Sequence, residues 1–246
     1  MNQDLINTVS SYVADNIGEF HQKRIAKMQE MKLEKILVRK NPYLFKAKNL
    51  NTPEALVRSM AAAYMSSAEE SLFGNWIENL AKFINEKVYN GYKSSARGID
   101  LEFEKENVHF FVSIKSGPNW NNSQSLLQLK KDFIAAVKTY NTSRGKTVAT
   151  RCIEGCCYGK NNKTYNDSTH EKLCGEAFWT LISGEPTLYS DLIEPLGTKA
   201  KTKNDAYDKE YQTMITKFTC EFANKYCDAK TGLIRWEEIV KLTSAK

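Results

Sequence analysis

Two short segments of the 246-residue chain bring an acid and a lysine within reach of each other. Over residues 98–104 the residue types alternate, with Ile99, Leu101 and Phe103 on one side of a strand and Asp100, Glu102 and Glu104 on the other. Over 108–115, Val108, Phe110, Val112 and Ile114 share a face, and His109, Phe111, Ser113 and Lys115 share the opposite one. The spacing predicts a hairpin turning near Glu106-Asn107. Pairing about that turn sets Asp100 opposite Ser113 or Lys115, and either register keeps Asp100, Glu102, Ser113 and Lys115 on one side of the sheet. Such a pairing suits metal-dependent phosphodiester hydrolysis. A carboxylate holds a hard divalent cation, which takes oxygen ligands. The cation polarises the phosphate and helps to generate hydroxide. A nearby ammonium orients the water or stabilises negative charge in the transition state. The backbone carbonyl between, that of Ile114, can serve as a further ligand.

One more acid is expected from the helix before the hairpin. Over residues 69–89, Leu72, Phe73, Trp76, Ile77, Leu80, Phe83, Ile84 and Val88 form an apolar stripe at helical spacing, and Glu78 lies beside it. A carboxylate there is costly unless paired or metal-bound, and a boundary glutamate bridged to a lysine explains it as well as a metal ligand does. The loop after Lys115 offers Asn119, Trp120, Asn121, Asn122, Ser123 and Gln124. Amides and hydroxyls suit phosphate contacts, and Asn or Gln reads base edges, whereas Ser123 also serves as a helix cap and Trp120 as packing.

The cysteines form a competing lead. Cys152, Cys156 and Cys157, followed by His170 and Cys174, supply thiols and an imidazole for zinc. Zinc sites usually show tighter CxxC pairs. Thiols buried on a strand, where Cys152 and Cys156 share a face, account for the same residues. A Cys/His nucleophilic enzyme has less support, and His21 and His109 have no evident partner in the sequence and do not read as catalytic.

These residues must be positioned by an ordinary globular chain, 41% hydrophobic and 26% charged, which excludes wholesale disorder. No apolar run reaches the roughly 18 residues of a membrane span. The first residues carry neither a basic n-region nor an apolar h-region, so a cytoplasmic protein with reduced thiols is expected. The net charge of +6 decides little until it is located. Residues 22–48 hold nine basic side chains, among them Lys40, Lys46 and Lys48, against Glu30 and Glu34, a local surplus of +7 that leaves the rest of the chain at −1. That stretch reads as one or two amphipathic helices over 3–40, stopped by Asn41-Pro42. It is either a solvated face or an arm that tracks a polyanion. Further helices are expected from near Thr52-Pro53, over 69–89 and 123–140. A third strand is expected over 147–157, helices over 168–182, 186–194, 204–227 and 235–242, and a polar loop over 198–205.

Gly98-Ile-Asp100-Leu-Glu-Phe and Val112-Ser-Ile-Lys115-Ser-Gly resemble motifs II and III of the PD-(D/E)xK nuclease superfamily, and Glu78 resembles its motif I acid. Lys40-Asn-Pro-Tyr-Leu-Phe-Lys-Ala-Lys-Asn49, Ser113 to Trp120, Cys157-Tyr-Gly-Lys160, Phe178 to Gly184 and Ile193-Glu-Pro-Leu-Gly197 extend the likeness to the PmeII family of type II restriction endonucleases. The resemblance implies a restriction-endonuclease-like α/β fold, a mixed central sheet flanked by helices with added N- and C-terminal helices. It implies a Mg²⁺-dependent enzyme that cuts double-stranded DNA at a short specific sequence, as a homodimer, with a DNA methyltransferase as genetic partner. Carried over, Asp100 is the motif II metal ligand, Lys115 the motif III lysine and Glu78 the motif I acid. The superfamily's second acid stands two residues before the lysine, where this chain has Ser113. Glu78 is the first substitute, Glu102 the second and Asp132 the third, and a single metal ion is the alternative. A structure-specific or repair nuclease, or a catalytically decayed DNA-binding protein, are the competing functions. One nuclease domain over 1–246 is expected, with a basic arm over 1–49, a catalytic core over 70–160 and a mostly helical region over 161–246.

Overall fold

The computed structural model of the chain describes residues 3–144, 149–167, 169–197 and 200–245. Along them run α1 (Gln3–Gln29), α2 (Leu33–Arg39), α3 (Pro42–Ala47), α4 (Pro53–Tyr89), β1 (Leu101–Lys105), β2 (Val108–Lys115) and α5 (Ser123–Arg144). There follow β3 (Thr150–Cys156), β4 (Lys163–Thr164), β5 (Glu171–Cys174), α6 (Glu176–Ser183), α7 (Leu188–Asp191), α8 (Ile193–Gly197), α9 (Ala200–Tyr226) and α10 (Trp236–Ser244). Contacts divide the chain into two compact units, one of Met1–Ile17 with Phe73–Thr198, the other of Gly18–Leu72 with Lys199–Lys246. Among the described residues, no helix is long and apolar enough to cross a membrane.

The first unit is built on a mixed five-stranded sheet of order β1-β2-β3-β5-β4. β1 and β2 form the expected hairpin, and Glu106 and Asn107 both take positive φ (52° and 61°), the two-residue turn that matches strand twist. The register pairs Leu101 with Val112, which sets Asp100 across from Ser113 and decides between the two expected registers. β3 and β5 then add in parallel, pairing Ser113 with Glu154 and Glu154 with Lys172. By alternation, Asp100, Ser113, Glu154 and Lys172 form one row on one face of the sheet.

That face is covered by α5, whose Leu129, Phe133 and Ala136 pack with Phe111 and Ile99. The opposite face carries Leu101, Phe103, Val112, Ile114 and Ile153, all buried. Tyr89 at the end of α4 stacks on Phe103 with ring centroids 5.5 Å apart. Phe178 of α6 fills the space above Gly155, where an added Cβ would stand 2.3 Å from its ring. Phe178 is fully buried and has no room to give, so Gly155→Ala should destabilise the protein by about 1–3 kcal/mol. A lowered denaturation midpoint at unchanged m-value checks this. Tyr12 of α1 stacks on Phe83, and the Trp76 indole donates to the Asn16 carbonyl at 3.3 Å.

In the second unit, Leu33, Ile36 and Leu37 of α2, Leu56, Val57 and Met60 of α4, and Phe218 and Phe222 of α9 share one buried cluster with Ile239 of α10.

Several boundaries differ from the pattern reading. Asn41-Pro42 ends one helix and starts another: the Asn41 side chain accepts from the N–H groups of Tyr43 and Leu44, capping α3, with Pro42 in its first turn. The helices expected from Pro53 and from 69 are one continuous α4, because nothing between them breaks a helix. The expected helix over 168–182 begins instead with β5 and turns at Gly175 (φ 53°) before α6. Residues 200–205, expected in a polar loop, open α9, since they carry neither Gly nor Pro. Residues 147, 148, 168, 198 and 199 of the expected segments lie outside the described residues.

Candidate active site

Asp100 stands immediately before β1. Its N–H donates to the Val112 carbonyl at 2.8 Å, which continues the hairpin ladder by one rung and fixes the residue beside the end of β2. Its Oδ2 accepts the Ile114 backbone N–H at 2.7 Å and the Ser113 hydroxyl at 3.4 Å. Lys115 Nζ lies 4.0 Å from the same oxygen, and about a quarter of each side chain is exposed (24% and 26%). The acid and the lysine therefore meet at the open end of the hairpin.

Glu78 arrives from α4. One helical turn earlier, Gly74 runs so close to the residue after Lys115 that a Cβ there would touch the Ser116 Cβ at 3.4 Å. Glu78, four residues on, shares that helix face. It pairs with Lys82 at 2.7 Å, both groups largely covered. Glu78 is thus bridged to a lysine, and its charge still reaches Asp100. Burial, and after it the negative charge of Glu78, push the Asp100 carboxyl above the usual carboxylate range. The Ile114 N–H and the ammonium groups of Lys115 and Lys82 pull it the other way.

Two carboxylates that repel each other at the edge of a sheet, next to a backbone carbonyl, form a hard-oxygen donor set. That fits a divalent cation. Asp100 Oδ1, the Glu78 carboxylate and the Ile114 carbonyl would hold it. Among the described residues, no three His, Cys, Asp or Glu side chains stand together as a closed metal cage. An ion that keeps several waters and takes phosphate oxygens needs only one or two protein carboxylates.

A family model, that of the type II restriction endonuclease EcoO109I, matches residues 7–204. The chain belongs to this family. No curated protein sequence matches it. The EcoO109I family comprises type II restriction endonucleases, site-specific deoxyribonucleases that generally use a divalent metal. The match spans the whole Glu78–Asp100–Lys115 site and every strand of the mixed sheet.

In this member of the EcoO109I family the other candidate acids are engaged elsewhere. Glu102 is buried, and both its oxygens are taken: Oε1 by the Ser94 hydroxyl, Oε2 by the Tyr92 hydroxyl at 3.2 Å and by His109 Nε2 at 2.9 Å. Its partner on the other strand of the hairpin is His109, a residue with no evident partner in the sequence. Burial would raise its carboxyl, but His109, Ser94 and Tyr92 hold it below the usual range. Asp132 lies against Gly98 and accepts from Gln128 at 2.7 Å.

In the loop, Asn119, Asn122, Ser123 and Gln124 are exposed. Asn122 Oδ1 accepts the Ser125 N–H at 2.9 Å, so Asn122 rather than Ser123 caps α5. Lys40, Lys46 and Lys48 belong to the second unit. Lys40 donates to the Ala63 carbonyl, and Lys46 and Lys48 lie over the rings of Trp236 and Phe45.

The cysteines are free, and Cys156, Cys157 and Cys174 are buried. Burial pushes the thiols of Cys152 and Cys157 up to about 12, so neither supplies a thiolate nucleophile at neutral pH. His170 faces Glu154 at 3.4 Å and stacks on Tyr165.

Glu154 and Lys172 escaped the sequence reading. Glu154 is wholly buried in β3, 2.9 Å from Lys172 Nζ and 2.8 Å from the Trp120 indole nitrogen that donates to it. Burial alone would raise its carboxyl, but His170, Trp120 and Lys172 bring it down to about 2. An acid in the middle of a buried strand was the available signal. Lys172 was hidden because its strand read as helix.

Proposed function

We propose that this chain is a Mg²⁺-dependent restriction endonuclease that hydrolyses double-stranded DNA at a short specific sequence. The observation that carries the proposal is Lys115 Nζ beside Asp100 Oδ2 at the open end of the hairpin, with Glu78 near enough to raise the Asp100 carboxyl. A divalent cation bound there would supply charge to polarise the scissile phosphate and make hydroxide available at neutral pH. Asp100, Glu78 and the Ile114 carbonyl would hold that cation at the open end of the hairpin. Lys115 donates to the attacking water or to the phosphoryl oxygen on which charge develops. Ser113 supplies no charge, so Glu78 stands in for the missing acid, ahead of Glu102, whose oxygens are occupied. Asn119, Asn122, Ser123 and Gln124, exposed next to Lys115, contact phosphate or base edges. The PmeII-like landmarks, a homodimer on a palindrome and a host methyltransferase belong to the same proposal.

The basic arm supplies the sequence-independent part of the affinity. Lys46→Gln and Lys48→Gln should weaken binding to all DNA sequences alike, each lowering the slope of log K against log salt by about 1. A titration at several salt concentrations checks this.

The function is tested by digesting unmethylated DNA of known sequence with Mg²⁺ and mapping the ends. Discrete fragments with one common terminal sequence are expected. Preference for junctions or free ends would replace the reading by a structure-specific nuclease. Absence of Mg²⁺-dependent cleavage would replace it by a decayed DNA-binding protein.

A further inference from the structure

We infer that Trp120 is the positioning residue for the Lys115 ammonium, held in that role by the buried Glu154–Lys172 pair. The inference rests on the nuclease reading of Lys115. A lysine side chain has four rotatable carbons, and the nearest carboxylate oxygen, Asp100 Oδ2 at 4.0 Å, is beyond hydrogen-bond range. What lies against the ammonium is the Trp120 ring, its centroid 4.8 Å from Nζ. A ring face attracts a cation without using up its directed N–H donors. The three donors of Lys115 stay available to water and phosphate.

The ring itself is fixed by two contacts, and the loop that carries it by two more. It packs against the buried cluster of Phe111, Leu129 and Phe133. Its Nε1 donates to Glu154 Oε1 at 2.8 Å. A hydrogen bond to an anion also enriches the indole in electron density and so strengthens its hold on a cation. Lys172 completes the clamp, reaching Glu154 at 2.9 Å and donating to the Pro118 carbonyl at 2.7 Å. One buried ammonium therefore ties down both the carboxylate beneath Trp120 and the backbone two residues before it. On the other side, Tyr158 packs on Gly117 so closely that a Cβ there would lie 2.3 Å from its ring. The loop that leads away from Lys115 is pinned at Gly117, Pro118 and Trp120, so the platform stands before DNA arrives.

The test uses the full chain, reductively ¹³C-methylated on lysine, without metal or DNA. The Lys115 methyl resonance, identified by its absence in Lys115→Arg, is expected upfield of the other lysines through the indole ring current. Trp120→Leu should return it to the ordinary lysine position, and Trp120→Phe, which keeps a ring, should retain part of the shift. In single-turnover cleavage with Mg²⁺, Trp120→Leu should lower the rate about 3- to 30-fold at unchanged DNA affinity, with Trp120→Phe recovering most of it. An unmoved Lys115 resonance in Trp120→Leu, or a loss of DNA affinity that matches the loss of rate, would overturn the inference, the second making Trp120 a DNA contact. A wild type that cleaves no DNA would instead overturn the nuclease reading, and the resonance alone would then decide where Lys115 lies.

Discussion

Asp100→Asn is expected to abolish cleavage, by at least about 10³-fold, and at the same time to raise the melting temperature at neutral pH. The two effects have one cause. Burial and the Glu78 charge raise the Asp100 carboxyl above its ordinary 3.8, so the folded protein binds that proton more tightly than the unfolded chain does. Stability from this group is fully present below the ordinary value and is lost as the pH rises through the raised one. At neutral pH the ionised carboxylate therefore works against folding, and an uncharged amide, which still accepts the Ile114 N–H, removes the penalty. The stability gain should fade as the pH falls toward and below 3.8. Loss of activity with a gain in stability cannot be dismissed as unfolding. Lys115→Ala should abolish cleavage to a similar extent, and both variants should bind DNA nearly as well as the wild type when Ca²⁺ replaces Mg²⁺. Loss of binding in both would remove the catalytic assignment.

The second large effect is on folding. Glu154→Ala should destabilise the protein by about 3–5 kcal/mol, because it leaves Lys172 as an uncompensated buried charge. The Lys172 side chain is only 9% exposed. The Trp120 indole N–H and the Tyr165 hydroxyl lose their acceptor as well. Adding Lys172→Met should recover much of the loss, since a buried pair replaced by an apolar residue is often close to neutral. The pH dependence has the opposite sign to that of Asp100. The Glu154 carboxyl is held down to about 2 against an ordinary 4.5, so its contribution is present above 4.5 and is lost as the pH falls through about 2. Urea midpoints measured between neutral pH and pH 3 should fall more steeply for the wild type than for Glu154→Ala.

The hairpin was legible because its two segments alternate cleanly and meet at a turn, and because a period of two leaves Asp100 and Lys115 on one face under either register. The choice of Ser113 as the partner of Asp100 depended on the turn's backbone, which residue types alone constrain weakly. Glu78 was legible as a candidate through its place beside an apolar stripe and its likeness to the motif I acid. Its proximity to Asp100 comes from the close approach of α4 at Gly74, a tertiary fact. β5 was not legible: four residues, Glu171-Lys-Leu-Cys174, adjoin the strongly helical Phe178-Trp-Thr-Leu-Ile run, and the local period was read across both. Losing that strand hid Lys172, and without Lys172 nothing marked Glu154 as the clamp beneath Trp120. Likewise Asn41-Pro42 marks a helix boundary in sequence, but whether a new helix follows is decided by the packing of Phe45 in the second unit.

The central claim is that Asp100 and Glu78 together hold the divalent cation that Lys115 serves. Mn²⁺ binding to the full chain, followed by electron paramagnetic resonance in the presence of uncleavable DNA, tests it most directly. Asp100→Asn and Glu78→Gln should each weaken binding by at least about 10-fold, while Glu102→Gln leaves it unchanged. Wild-type affinity in Glu78→Gln with loss of binding in Glu102→Gln would contradict the claim and move the second ligand to the strand.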